Sequence, residues 1–149
     1  MRKELNLHGL DATKRLADHI AQYVFPGFVL GLEGDLGAGK TTFTQFFGRA
    51  LGVTDAINSP TFTIMKHYTG NHALTHIDAY RVEGAGADES IEEYIFGKGV
   101  SVVEWWTYIR QSMPETFLTM HMTFVDETTR HVVIEGSGRY ARIIADLDA

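Results

Sequence analysis

No cysteine occurs among the 149 residues. That excludes disulfides, thiolate metal ligands and a cysteine nucleophile, and it agrees with a reducing compartment. No run approaches the roughly 18 apolar residues of a membrane span. The opening "MRKELNLHGLDATKRLADHI" also lacks an apolar core of signal-peptide length. A soluble, cytoplasmic protein is expected. A basic stripe is missing too: "RK" and "KR" are the only adjacent cationic pairs, and the net charge is −6. A protein that grips RNA or DNA by itself carries clustered positive charge. Nucleic acid is therefore not expected as a direct, sole partner, and the acidic balance on its own means only solubility. Internal repeats, low-complexity tracts and linkers are absent. The length suits one domain, residues 1–149. With 44% hydrophobic and 21% charged residues, the chain has an ordinary globular balance and can bury a core without staples.

What is present alternates between two periodicities. "KELNLHG" reads as a short first strand. Asp11 is placed to cap a helix that runs to about Val24, with Leu16, Ala17, Ile20 and Ala21 on one face, and Pro26-Gly27 stops it. "FVLGLEG" is an apolar run bounded by glycine, as in a strand buried on both faces. "KTTFTQFFGRAL" repeats apolar residues at Phe43, Phe46, Phe47, Ala50 and Leu51, a helical spacing closed by Gly52. "FTIMKHYT" and "ALTHIDAY" read as strands joined by a tight turn at "GNH". "GAGA" is a flexible break, "DESIEEYIF" a short acidic helix stopped by Gly97, and "VSVVEWW" another apolar strand. "TFLTMHMTFVD" and "RHVVIEG" form two more strands around "ETT", while "RYARIIADL" suits either strand or helix. The fold class expected is α/β, a P-loop NTPase-like, mixed and mostly parallel central sheet flanked by helices.

Between the buried strand and the helix stands "GDLGAGKT", Gly34 to Thr41, which fits G-x-x-x-x-G-K-[ST] without mismatch. Glycines allow positive φ and close approach of the backbone to a ligand. Successive N–H groups then form an anion cradle, and the free N-terminus of the following helix adds its dipole. Lys40 can reach β- and γ-phosphates, and Thr41 can offer a hydroxyl to Mg²⁺. A guanine reader of the N-K-x-D type is absent: none of Asn6, Asn58 and Asn71 begins one, which favours adenine.

A Mg²⁺-nucleotide site needs a carboxylate at a neighbouring strand end. "HIDAY" offers Asp78 and "VSVVEW" offers Glu104. The valine-rich "VSVVEW" is closer to a Walker B strand, and its glutamate could polarise a water for attack on the γ-phosphate. The bland reading of each is a solvated carboxylate. His76 reads as a structural hydrogen-bonding residue, since no H-x-x-x-H pair or cysteine supports zinc. "SPTF" is a candidate switch in which the Thr61 hydroxyl senses the γ-phosphate or its metal and Pro60 restricts Ser59; a rigid turn is the alternative. Of Trp105 and Trp106, at least one is expected in the core.

Taken in order, "GDLGAGKTTF", "SPTF", "HIDAYR" and "VVEW" resemble the bacterial TsaE (YjeE) family over about residues 11–106. The resemblance implies a small P-loop ATPase acting beside TsaD and TsaB in making threonylcarbamoyladenosine in tRNA. TsaD would be the transferase, and this chain would bind the TsaB–TsaD pair and hydrolyse ATP to support its turnover. tRNA would then be held only indirectly, through the complex. By position, the family's ATP-binding residues fall on Thr13, Gly37, Ala38, Gly39, Lys40, Thr41 and Thr42, with Thr13 beside the base. Its magnesium residues fall on Thr41 and Glu104, with Asp78 as a second carboxylate. Lys40, Glu104 and Asp78 would be the catalytic set, and Ser59 and Thr61 the switch. A late backbone contact to the base falls around Gly138 or Arg139. The chain departs from the family at "EWWTYI", where proline and an acidic residue are usual, and at "GAGADES".

Two other readings remain open on the residues themselves. One is a small-molecule kinase, although Arg81 is the only arginine between Arg49 and Arg110, a poor supply for a lid. The other is a nucleotide-gated binding module with negligible hydrolysis.

Overall fold

A computed structural model describes residues 1–58, 60, 64–82 and 89–147. The chain runs through β1 (Arg2–His8), α1 (Leu10–Ala21), β2 (Val29–Glu33), α2 (Lys40–Ala50), β3 (Met65–Tyr68) and β4 (Leu74–Asp78). It continues through α3 (Glu89–Ile95), β5 (Val100–Glu104), β6 (Leu118–Asp126), β7 (Thr129–Glu135) and α4 (Ala141–Ala145), with short 3-10 turns at Ala79–Val82, Trp106–Ser112 and Gly138–Tyr140. The sheet order is β1-β7-β6-β2-β5-β4-β3. The four central strands β6, β2, β5 and β4 are parallel, and the outer pairs are antiparallel. This is the mixed α/β sheet with a parallel centre that the strand and helix alternation implies.

The apolar run of β2 is explained by cover on both faces. Leu30 and Leu32 join a core with Leu16 and Ile20 of α1 and Phe43 and Phe47 of α2. Val29 joins a second core with Ile77, Ile91, Val103 and Ile109 on the other face. Gly31 lies on that second face, where a Cβ would come 2.7 Å from Trp106 Cδ1 and 3.0 Å from Phe117 Cε2. Trp106 thus packs directly on this face of the sheet, half-buried against the second core. Gly31→Val should lower stability by about 1–3 kcal/mol through overpacking. Urea unfolding measures it, and an unchanged midpoint would show that Trp106 does not hold this position.

Several boundaries differ from the sequence reading, each for a local reason. Gly9, at φ 81°, precedes α1 without any side-chain cap, and Asp11 lies inside the first turn. α1 ends at Ala21: Gln22 and Tyr23 bond back to His19 and Ile20 in tighter turns, and Pro26 disfavours a helical Phe25. α2 closes as its glycine suggested. Gly52 at φ 88° donates to Arg49 O at 3.0 Å and Val53 donates to Gly48 O at 3.0 Å, a Schellman pair. The β3–β4 connection spans residues 69–73 instead of a tight turn, because Asn71 N–H docks on Leu51 O at 2.7 Å and ties the loop to the end of α2. "GAGA" lies outside the described residues. "RYARIIADL" is helical, burying Tyr140, Ile143, Ile144 and Leu147 on one face. Among the described residues no helix is long and apolar enough to cross a membrane.

Candidate functional site: a glycine loop beside two strand-end carboxylates

β2 delivers the loop 34–39 at the carboxyl edge of the sheet. Gly34, Gly37 and Gly39 all adopt positive φ, of 149°, 85° and 99°. Gly39 is the residue before α2, which has neither a side-chain cap nor an acidic residue in its first turn. This end of α2 presents the positive end of the helix dipole and no acidic side chain of its own first turn, an arrangement that suits an anion. Ala38 is buried and donates its N–H to Asp35 O at 3.0 Å, closing the loop on itself. Lys40, Thr41 and Thr42 are the first three residues of α2.

The register of the parallel strands sets the acidic side. Leu32 of β2 is level with Glu104 of β5, and Glu104 is level with Asp78 of β4. Glu104 is 5% exposed, and its two oxygens are separately engaged. Oε1 lies 3.5 Å from Lys40 Nζ, and Oε2 lies 2.6 Å from His76 Nε2. Burial pushes the Glu104 carboxyl up, but the His76 hydrogen bond and the Lys40 charge outweigh it and leave it below its ordinary value. Asp78 is half-buried and accepts the Tyr80 N–H at 3.0 Å. Lys40 also lies 5.3 Å from the centre of the Trp105 ring. Trp105 is the one described non-glycine residue at positive φ, 58°, and it stacks with Tyr108 at 5.5 Å. It therefore borders the site while also packing, like Trp106, against the second core.

Beyond α2 lies an open pocket of about 260 Å³, lined by Leu10, Thr13, Gly39, Thr42, Thr128 and Arg130 among others. Thr13, buried in α1, thus shares one cavity with the loop glycine and the second threonine. Its opposite wall escaped the sequence reading. β6 pairs with β2 only over Leu118–His121 and then continues to Asp126, so the β6–β7 hairpin stands up beside the loop. Arg130 on that hairpin donates from Nη1 to Asp126 O and Thr129 O at 2.7 and 3.0 Å. Its guanidinium lies 4.7 Å from the Phe124 ring centre, and its buried Nε has no hydrogen-bond partner among the described residues. The only sequence signal was an arginine just past the "ETT" turn. A smaller cavity of about 130 Å³ lies on the other side of Lys40, between Asp35, Trp105, Thr107 and His121.

Not every expected residue is here. Ser59 and Thr61 lie outside the described residues. Gly138 and Arg139 sit at the opposite edge of the sheet: Glu135 is level with Thr119, and Thr119 with Gly31, so β7 has run back to the start of β2. Arg139 lies 3.7 Å from the Phe25 ring centre. The hairpin, not that turn, borders the Thr13 pocket.

With this geometry in place, comparison with known proteins is decisive. A family model described as "Threonylcarbamoyl adenosine biosynthesis protein TsaE" matches residues 7–132. The chain belongs to the TsaE family. A Bacillus subtilis protein called "tRNA threonylcarbamoyladenosine biosynthesis protein TsaE" is 42% identical over 92% of this chain and 88% of its own. The Nostoc protein of the same name is 35% identical over 83% of this chain and 80% of its own. The crystal structure of Bacillus subtilis YdiB superposes with a TM-score of 0.83 at 34% identity, covering 98% of this chain and 93% of that one. The family match extends past Trp106 through β6 and the turn into the first part of β7, which the motif resemblance did not reach.

Proposed function

We propose that this TsaE-family protein binds and hydrolyses ATP with Mg²⁺ and thereby supports turnover of the TsaB–TsaD pair that forms threonylcarbamoyladenosine in tRNA. The observation that carries the reading is Lys40. It stands at the uncapped start of α2 and is paired at 3.5 Å with the buried Glu104 of the neighbouring strand. That pair offsets the Lys40 charge before nucleotide arrives. The loop amides and Lys40 would take the β- and γ-phosphates, and the pocket by Thr13 and Arg130 would take the nucleoside.

The oxygen donors Thr41, Asp78 and Glu104 suit Mg²⁺, which is held by one or two carboxylates plus phosphate oxygens. Among the described residues no three His, Asp or Glu side chains converge on a point, so this donor set does not resemble an all-protein metal cage. When bound, the ion would offset charge on the transferring phosphate. Glu104 would orient the attacking water and accept its proton. The net charge of −6 fits a subunit that leaves tRNA to its partners.

The test is threonylcarbamoyl transfer to tRNA by this organism's TsaB–TsaD pair over many turnovers, supplied with threonylcarbamoyl-adenylate. No addition, wild type and Lys40→Ala are compared, with ATP consumption recorded in the same tubes. Multiple turnover with wild type alone supports the reading. No difference with ATP intact would turn attention to a binding module, and ATP use only with an added acceptor would indicate a kinase.

A further inference from the structure

A histidine built only into the framework normally satisfies both ring nitrogens when it is buried. His76 does not. It is fully buried, its Nδ1 has no partner among the described residues, and its one hydrogen bond goes to Glu104 Oε2 at 2.6 Å. The tautomer protonated on Nε2 makes that bond and leaves Nδ1 as a bare acceptor.

The strand register explains how the ring gets there. His76 is level with Val102 and Asp78 with Glu104, and side chains two apart on a strand share a face. β4 therefore presents Asp78 beside Glu104 and His76 behind it, one step back along the same row.

The consequence appears when Lys40 is needed elsewhere. Among the described residues Glu104 has two side-chain partners, Lys40 and His76. Phosphate groups in the glycine loop would draw Lys40 away from Oε1. His76 would then be the only described side chain still holding Glu104, just as the carboxylate faces the phosphate oxygens that repel it. We infer that His76 is a positioning residue, which keeps Glu104 aimed at the metal position after Lys40 has moved to the nucleotide. This rests on the proposed ATP·Mg²⁺ reading of the site and adds to it the group that fixes the metal carboxylate. Hydrogen-bond partners of ligating side chains commonly matter by about 10–100-fold in metal affinity or activity.

The experiment uses the full chain with a fluorescent ATP analogue, His76→Leu and His76→Gln. Affinity is measured in EDTA and then across a Mg²⁺ titration, and ATP hydrolysis is followed with the TsaB–TsaD pair. In EDTA, both variants should bind within about twofold of wild type. His76→Leu should need about tenfold more Mg²⁺ for half-effect and lose turnover to a similar degree. His76→Gln, which keeps a donor, should recover most of both. Two results would overturn the inference: an unchanged Mg²⁺ requirement in a folded His76→Leu, or equal losses with and without Mg²⁺ alongside a lowered melting point. A wild type whose nucleotide binding ignores Mg²⁺ would remove the metal-site reading itself. A wild type that responds to Mg²⁺, with a leucine variant that responds identically, would remove only the role of His76.

Discussion

Lys40→Ala is expected to weaken ATP binding by roughly a hundredfold. Two losses combine. The first is the charge-assisted hydrogen bond from Nζ to phosphate, worth about 1.5–3 kcal/mol, where each 1.4 kcal/mol is a factor of ten. The other is specific to this site. Lys40 is the cation 3.5 Å from Glu104. Without it a buried carboxylate, held among the described side chains by His76, faces the incoming phosphates without the Lys40 charge. The variant should remain folded, because the His76 bond to Glu104 persists and the side chain of Lys40 is 13% exposed, not fully enclosed. Calorimetric titration with ATP and Mg²⁺ measures the effect, with circular dichroism as the control for folding. An affinity within about threefold of wild type would mean that Lys40 does not contact phosphate, and the proposed function would fail with it.

How much of this could be read from the residues depends on the range of the interaction. The strand, loop and helix from Phe28 to Gly52 were legible because their signals are local: a glycine-bounded apolar run, a motif without mismatch, and apolar residues at helical spacing. The pairing of Glu104 with Lys40 was only half legible. Sequence could place a carboxylate at a strand end but not choose which strand lies next to β2; that β5 does so follows from the order of the assembled sheet. The Arg130 wall was hidden for the same reason. It exists because β6 outruns β2 by five residues, a property of register between strands some ninety positions apart. Gly138 and Arg139 went to the wrong end of the sheet because nothing in "GSGRY" records which way β7 has travelled. His76 was read as structural, yet its single bond to Glu104 and its bare Nδ1 emerge only once β4 and β5 are aligned. The helical end at Ala141–Ala145 was ambiguous because five residues are too few for either periodicity to declare itself.

Glu104→Gln should separate binding from chemistry. Glutamine keeps the shape and an acceptor for His76, so the nucleotide should still bind within several-fold of wild type. ATP hydrolysis should fall by a hundredfold or more, since a positioned general base typically contributes 10²–10⁴, and the metal would lose an anionic ligand as well. Equal hydrolysis in mutant and wild type would rule out the role. The same substitution carries a pH signature in the free protein. The carboxyl of Glu104 is held below its ordinary value of 4.5 by His76 and Lys40 against the cost of burial. A depressed folded-state pKa stabilises the fold above the unfolded value and is lost as pH falls through the folded one. The stability difference between wild type and Glu104→Gln should therefore be constant near neutrality and shrink only below about pH 4.5. Urea unfolding across that range measures it. A wild type that instead gains stability relative to Glu104→Gln as pH falls from neutrality towards about 4.5 would mean that burial outweighs the Lys40 charge and the His76 hydrogen bond, and that the carboxylate is not preformed for the metal before nucleotide arrives.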